Sequence, residues 1–150
     1  MNTLSVPRYP IDSRTGPAAV LLLRLSLGVM FLAHSIVLKL LTFGLSGTAA
    51  FFVGIGLPGS VAYVTFAAEA LGGVLLILGV QTRWVAIALS PILLGAIVWV
   101  HAQNGWMFGN PNGGWEYPLF LFVLCFAQAL LGDGPFALSP SWVPRSWRRE

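Results

Sequence analysis

Long apolar stretches alternate along this chain with short segments rich in Gly, Pro, Asn and Arg. A helix crossing ~30 Å of hydrocarbon needs about 20 mainly apolar residues in a row. The pattern predicts four such helices, over about Pro17 to Thr42, Ser60 to Val80, Trp84 to Ala102 and Glu116 to Leu131. The first is long for the bilayer and is expected to tilt. Pro17 and Pro118 fall in first helical turns, where a missing N–H is tolerated, whereas Pro91 is expected to kink or loosen the third span. Residues 43–59, FGLSGTAAFFVGIGLPG, are apolar but broken by glycines and Pro58, which predicts a short interfacial helix followed by a turn. Residues 103–115, QNGWMFGNPNGGW, read as a turn-rich loop carrying two tryptophans. The fold class expected is all-α: a polytopic membrane protein built as a four-helix transmembrane bundle with an interfacial helix in its first outer loop. Residues 1–16 form a lead, 17–131 the membrane domain and 132–150 a tail.

Composition strengthens this picture. The chain is 57% hydrophobic and 9% charged, against about 25% charged in soluble domains. A net charge of +3 would suit nucleic acid only if it lay along one face, and here the basic residues sit at chain ends and in turns. Cys125 is the single cysteine, so neither an internal disulfide nor a CxxC thiol relay is available. The first dozen residues contain Pro7 and Pro10 and no apolar core of a cleavable signal. Arg8, Arg14, Arg83, Arg145, Arg148 and Arg149 fall on the lead, the 81–83 turn and the tail, and neither long loop holds Lys or Arg. Cytoplasmic segments carry the positive excess, so both termini are expected inside and both long loops outside.

The stretch from Ala68 to Arg83, AEALGGVLLILGVQTR, carries the most chemistry. Glu69 opens it, and Gly72, Gly73 and Leu76 share its helical face. A carboxylate at such depth is costly when it faces lipid, and small residues admit a close neighbour, so Glu69 is expected to point into the bundle. Measured along ideal helices, Glu69 lies about 14 Å from the outer side and Arg24 about 10 Å from the inner side. That leaves about 6 Å between them, and Arg24 shares a face with Gly28, Phe31 and Ser35. An Arg24–Glu69 pair is therefore expected, either as part of a site or as a structural pair that sets helix register.

A second polar group gathers towards the outer side. His34 and Lys39 lie on the first span, His101 closes the third, and Glu116 opens the fourth, flanked by Asn104, Trp115 and Tyr117. Each has a simpler reading: Lys39 as a snorkelling interfacial cation, His34 as a packing residue, the tryptophans as belt anchors and Glu116 as a helix-start residue. Met30, Met107 and Cys125 read as apolar filling. His34 and His101 differ in depth by roughly 10 Å, which argues against a shared haem. Copper bound by His34, His101 and Met107 lacks supporting ligand spacing, and no metal site is expected.

The blocks RLSLGVMFLAHSIVLKL, GTAAFFVGIGLP, AEALGGVLLILGVQTR, HAQNGW, NGGWEYPL and LLGDGPFAL, in that order, resemble the DoxX family of small four-span bacterial membrane proteins. The family's first span has His-Gly with Lys four residues after the His. Here Ser35 replaces the Gly and Lys39 follows His34 by five, a slip that rotates Lys39 relative to His34. The resemblance implies a multi-pass protein of the bacterial inner membrane, associated with redox enzymes or other membrane subunits; a homo-oligomer stays open. Two functions are then in view. One is a redox-associated subunit with an outward polar pocket for a quinone or a small sulfur compound. There Glu69, His34 and Glu116 would handle protons, and Arg24 and Lys39 would hold negative charge, beside His101, Asn104, Trp115 and Tyr117. The other is a non-enzymatic anchor, assembly module or solute passage.

The topology is directly testable. Reporter fusions after Gly54 and Asn110 are expected to signal outside, and one after Arg145 inside; an inside signal at Asn110 contradicts the span count.

Overall fold

A computed structural model describes residues 12–143 of the chain. Residues 1–11 and 144–150 lie outside the described residues, and with them Arg8, Arg145, Arg148 and Arg149 of the topology argument. The described residues are all-α. Helix α1 spans Gly16–Leu32 and continues as a π-helix over Ala33–Thr42. Helix α2 is Gly44–Gly54, α3 is Ser60–Leu78, and α4 is Thr82–Gly95, extended by a π-helix over Ala96–His101 and a short 3-10 turn over Ala102–Asn104. Helix α5 is Glu116–Leu131. Among the described residues there is no strand, only an isolated bridge between Val80 and Ser139.

Three continuous helices, Gly16–Thr42, Ser60–Leu78 and Thr82–Asn104, are long and apolar enough to cross a membrane, while Gly44–Gly54 and Glu116–Leu131 are shorter apolar helices. Their packed faces meet in one core of Leu27, Phe31, Leu76, Ala86, Leu89, Leu93, Leu121, Cys125 and Ala129. Outward lie Leu22, Val29, Val64, Leu71, Val123 and Leu130, all exposed. An apolar exterior around an apolar core is the pattern of a protein whose solvent is lipid. Helix α4 runs through Pro91 and changes to π-helical winding only from Ala96.

Glycines set the closest helix approach. A methyl group on Gly28 would lie 2.6 Å from Ile77 Cγ1 and 2.9 Å from the Gly73 carbonyl oxygen, and one on Gly73 would lie 2.9 Å from the Gly28 carbonyl. These two glycines therefore lock α1 against α3 at one level, and the antiparallel run of the helices places everything else. Four residues towards the start of α1, Arg24 reaches the level of Gly79. Four residues towards the start of α3, Glu69 comes opposite the π-helical stretch after Leu32.

The segment after α5 folds back across the α3–α4 turn. Leu138 and Ser139 N–H groups donate to the Leu78 and Gly79 carbonyls, and Gln81 N–H donates to the Ser139 carbonyl. Asp133 closes the corner: its carboxylate accepts from Thr82 N–H, Ser141 N–H and the Ser141 hydroxyl. Arg83 donates to the Ala129 and Leu130 carbonyls, which have no partner within their own last turn. Much of the segment read from sequence as a tail is thus a strap held by backbone pairing.

Gly73→Ala is expected to force α1 and α3 apart and destabilise by about 1–3 kcal/mol. Gly54→Ala, where nothing lies within 4 Å of the added methyl, is expected to be neutral or stabilising. Thermal unfolding in detergent compares the two.

Candidate functional site: a buried ion pair beside a membrane-facing groove

Glu69 is paired, and its partner is Lys39. The Lys39 Nζ lies 2.5 Å from Glu69 Oε2, with side-chain exposures of 14% and 5%. The expected Arg24–Glu69 pair is not formed. Its depth estimate let each helix enter the bilayer from an ideal flat surface; the Gly28–Gly73 contact instead fixes the register and moves Arg24 below Glu69 by about two turns. Arg24 turns to the other end of the bundle, where it donates to the Asp133 carbonyl at 2.5 Å. Nor does Lys39 snorkel outward, since its ammonium bends inward to the carboxylate.

π-Helical winding makes this possible. With hydrogen bonds closing from i to i+5, each turn of Ala33–Thr42 takes up an additional residue. The five-residue spacing of His34 and Lys39 is thereby absorbed, and both end near the level of Glu69. Buried Ser35 donates its hydroxyl to the Phe31 and Leu32 carbonyls at 3.0 and 3.2 Å. Thr42 binds the Val37 carbonyl, and Thr48 reaches from α2 to the Lys39 carbonyl. These hydroxyls occupy carbonyls that wide winding leaves poorly served.

His34 shows which nitrogen is free. Its Nδ1 lies 2.9 Å from the Met30 carbonyl, and a carbonyl only accepts, so Nδ1 carries the proton and Nε2 remains for another group. The imidazole faces the Tyr117 ring, nearly parallel at 24° with centroids 6.4 Å apart. Tyr117 in turn donates its hydroxyl to Met30 Sδ at 2.7 Å. Met30, read from sequence as filling, is thus the acceptor that orients the tyrosine, and nothing in a lone methionine among apolar residues signals that role.

The remaining candidates build the 103–115 loop. His101 Nδ1 and Asn104 Nδ2 both meet the Gly113 carbonyl at 2.9 Å. Asn110 Nδ2 donates to the Asn104 carbonyl. Glu116 Oε1 accepts the Phe108 N–H at 2.6 Å, and Trp115 meets Trp106 edge-on at 4.5 Å. Phe108 packs on Tyr117 with centroids 5.7 Å apart. Beneath this loop runs a groove of about 580 Å³ lined by Trp106, Phe108, Glu116, Tyr117, Leu119, Phe120 and Val123. Exposed Phe120 and Val123 put it on the outside of the bundle. His34, Glu69 and His101 do not line it; Tyr117 is the residue shared by the groove and the buried side. Among the described residues, no three His, Cys, Asp or Glu side chains cluster so as to hold a metal ion.

Apolar helices around a buried ion pair define a small helical membrane protein with a polar centre on one half of its bundle. The DoxX family pattern matches residues 19–102, and the chain belongs to that family. A protein of Bacillus subtilis (strain 168), described as "Putative oxidoreductase CatD", is 39% identical over 121 residues, covering 80% of this chain and 84% of its own. No solved structure matches the chain.

Removing one member of a buried pair strands the other charge. Lys39→Met or Glu69→Leu alone is expected to destabilise by about 3–5 kcal/mol, and the double variant to recover most of the loss. Arg24→Ala combined with Glu69→Leu is expected to add without recovery, since the two residues share no contact. Thermal unfolding of these proteins, with wild type and the Arg24→Ala single variant included, reads this out.

Proposed function

We propose that this chain is a redox-associated membrane subunit whose outward-facing polar site receives a quinone or a small sulfur compound. Four spans carry it: the three long helices, with α5 as the fourth, while α2 lies at the outer interface. Both termini are cytoplasmic, in a bacterial inner membrane, with residues 1–16 as the lead, 17–131 as the membrane domain and 132–150 as the tail. The observation that supports this reading is the Lys39–Glu69 pair beside His34, itself facing Tyr117 on the wall of an aromatic groove. Intramembrane ionisable groups are costly and are retained where they serve a pathway or a ligand. The similarity of the chain to the protein described as "Putative oxidoreductase CatD" points the same way.

The quinone version makes the roles concrete. Reduction to the hydroquinone takes up two electrons and two protons. A partner redox protein supplies the electrons. A ring entering from the bilayer lies against Phe108 and Tyr117 with its tail left in lipid. The Tyr117 hydroxyl hands one proton to a carbonyl oxygen and is reprotonated by way of His34 and Glu69 from the aqueous side, Lys39 stabilising the carboxylate between transfers. Glu116 supplies the second proton to the other carbonyl oxygen. Glu116 closes the groove mouth, and His101, Asn104 and Trp115 hold the loop over it. Arg24 takes no part, being at the opposite end.

Protein purified from its native membrane is expected to yield extractable quinone in roughly equimolar amount. Tyr117→Phe and His34→Gln are expected to lose function in cells at unchanged membrane abundance. Absence of quinone, with full function in both variants, favours the anchor or assembly reading.

A further inference from the structure

At the end of the bundle opposite the Lys39–Glu69 pair, three helices turn buried polar side chains towards one corner. Arg24 of α1 is 1% exposed, and Thr82 of α4 and Gln128 of α5 are 0% exposed. Each residue already uses one polar atom on the turn after α5. Arg24 donates one guanidinium nitrogen to the Asp133 carbonyl at 2.5 Å, the Thr82 N–H meets the Asp133 carboxylate at 3.0 Å, and Gln128 Nε2 donates to the Gly132 carbonyl at 2.7 Å. Three further atoms, Arg24 Nε, Thr82 Oγ1 and Gln128 Oε1, have no partner among the described residues.

The chemistry of these atoms restricts what satisfies them. Because the Gly132 carbonyl only accepts, the Gln128 amide cannot be reversed, and its oxygen is committed to the interior. The corner therefore offers one donor that is always charged, one acceptor, and one hydroxyl that does either. An anion would meet the Gln128 oxygen and the nearby Asp133 carboxylate, and a cation would meet the guanidinium. Water donates and accepts at once, and buried waters in proteins typically make about three hydrogen bonds to otherwise unsatisfied groups.

We propose that Arg24, Thr82 and Gln128 form a buried water-binding site that ties the ends of α1, α4 and α5 to the strap. A groove of about 440 Å³ passes near this corner. It is lined by Val20, Leu131, Gly134 and Pro135 among others; Val20 lies one turn from Arg24 and Leu131 one turn from Gln128, each on the same helix face. The water keeps the Arg24 guanidinium solvated within an apolar bundle and so lets a permanent charge serve as a structural tie. The site is independent of the proposed redox function.

A structure of the full chain in lipid, at a resolution that shows waters, is expected to place ordered water in hydrogen-bond reach of Arg24 Nε, Thr82 Oγ1 and Gln128 Oε1. A protein side chain, a larger ligand, or no density at that position overturns the proposal. Thermal unfolding gives a second measurement. Thr82→Val and Gln128→Met are each expected to lower the midpoint, and the double variant to lower it by clearly less than their sum, because the first change already releases the shared water. Strictly additive shifts overturn it.

Discussion

The half of this molecule that carries α2 depends on one ion pair. Lys39 and Glu69 are the kind of charges that a bilayer rejects singly, and together they form a contact that ties the π-helical continuation of α1 to α3. Glycines at 28 and 73 bring the helix backbones together, and π-helical winding turns the lysine to the required side. Each element answers a physical demand of the next: close approach for register, wide winding for azimuth, hydroxyls for the loosened carbonyls. His34 and Tyr117 then stand next to that centre because they occupy the same level of the bundle.

The opposite end uses a different solution to the same problem. Arg24 is buried without a carboxylate in direct contact among the described residues, and it is held by a backbone carbonyl of the strap. Asp133 spends its carboxylate on the start of α4 and on Ser141, and so folds residues 133–142 back over the α3–α4 turn. Charged groups thus sit at both ends of the packed core, with apolar contacts from Leu27 to Leu121 between them. That separation lets the two ends perform different tasks.

Much of the architecture was legible in residue pattern. Apolar stretches located the long helices, and the inward face of Glu69, Gly72, Gly73 and Leu76 is buried as a unit. The partner of Glu69 was not, because depth arithmetic along ideal helices ignores how the helices interlock. Pairing Gly28 with Gly73 as the closest approach would have shown it: the small-residue signal was present, and the register it implies places Glu69 near His34, well above Arg24. The strap had a weaker signal, a lone aspartate between glycines in LLGDGPFAL. Hydrogen bonds from non-helical backbone to a distant turn leave no periodicity to read. The role of Met30 was invisible for a similar reason, since a thioether acceptor looks like any apolar residue until a hydroxyl is placed on it.

Lys39 is the only lysine in the chain, which makes the central contact measurable without ambiguity. In lipid-reconstituted protein carrying ¹⁵Nζ-lysine and ¹³Cδ-glutamate, solid-state NMR recoupling reports directly on the ammonium–carboxylate separation. The Lys39–Glu69 contact predicts strong dephasing of the single lysine signal, of the size given by a directly hydrogen-bonded pair, and loss of that dephasing in Glu69→Gln protein labelled only at glutamate. A lysine signal that shows no dephasing, or dephasing that survives Glu69→Gln and so arises from another glutamate, contradicts it.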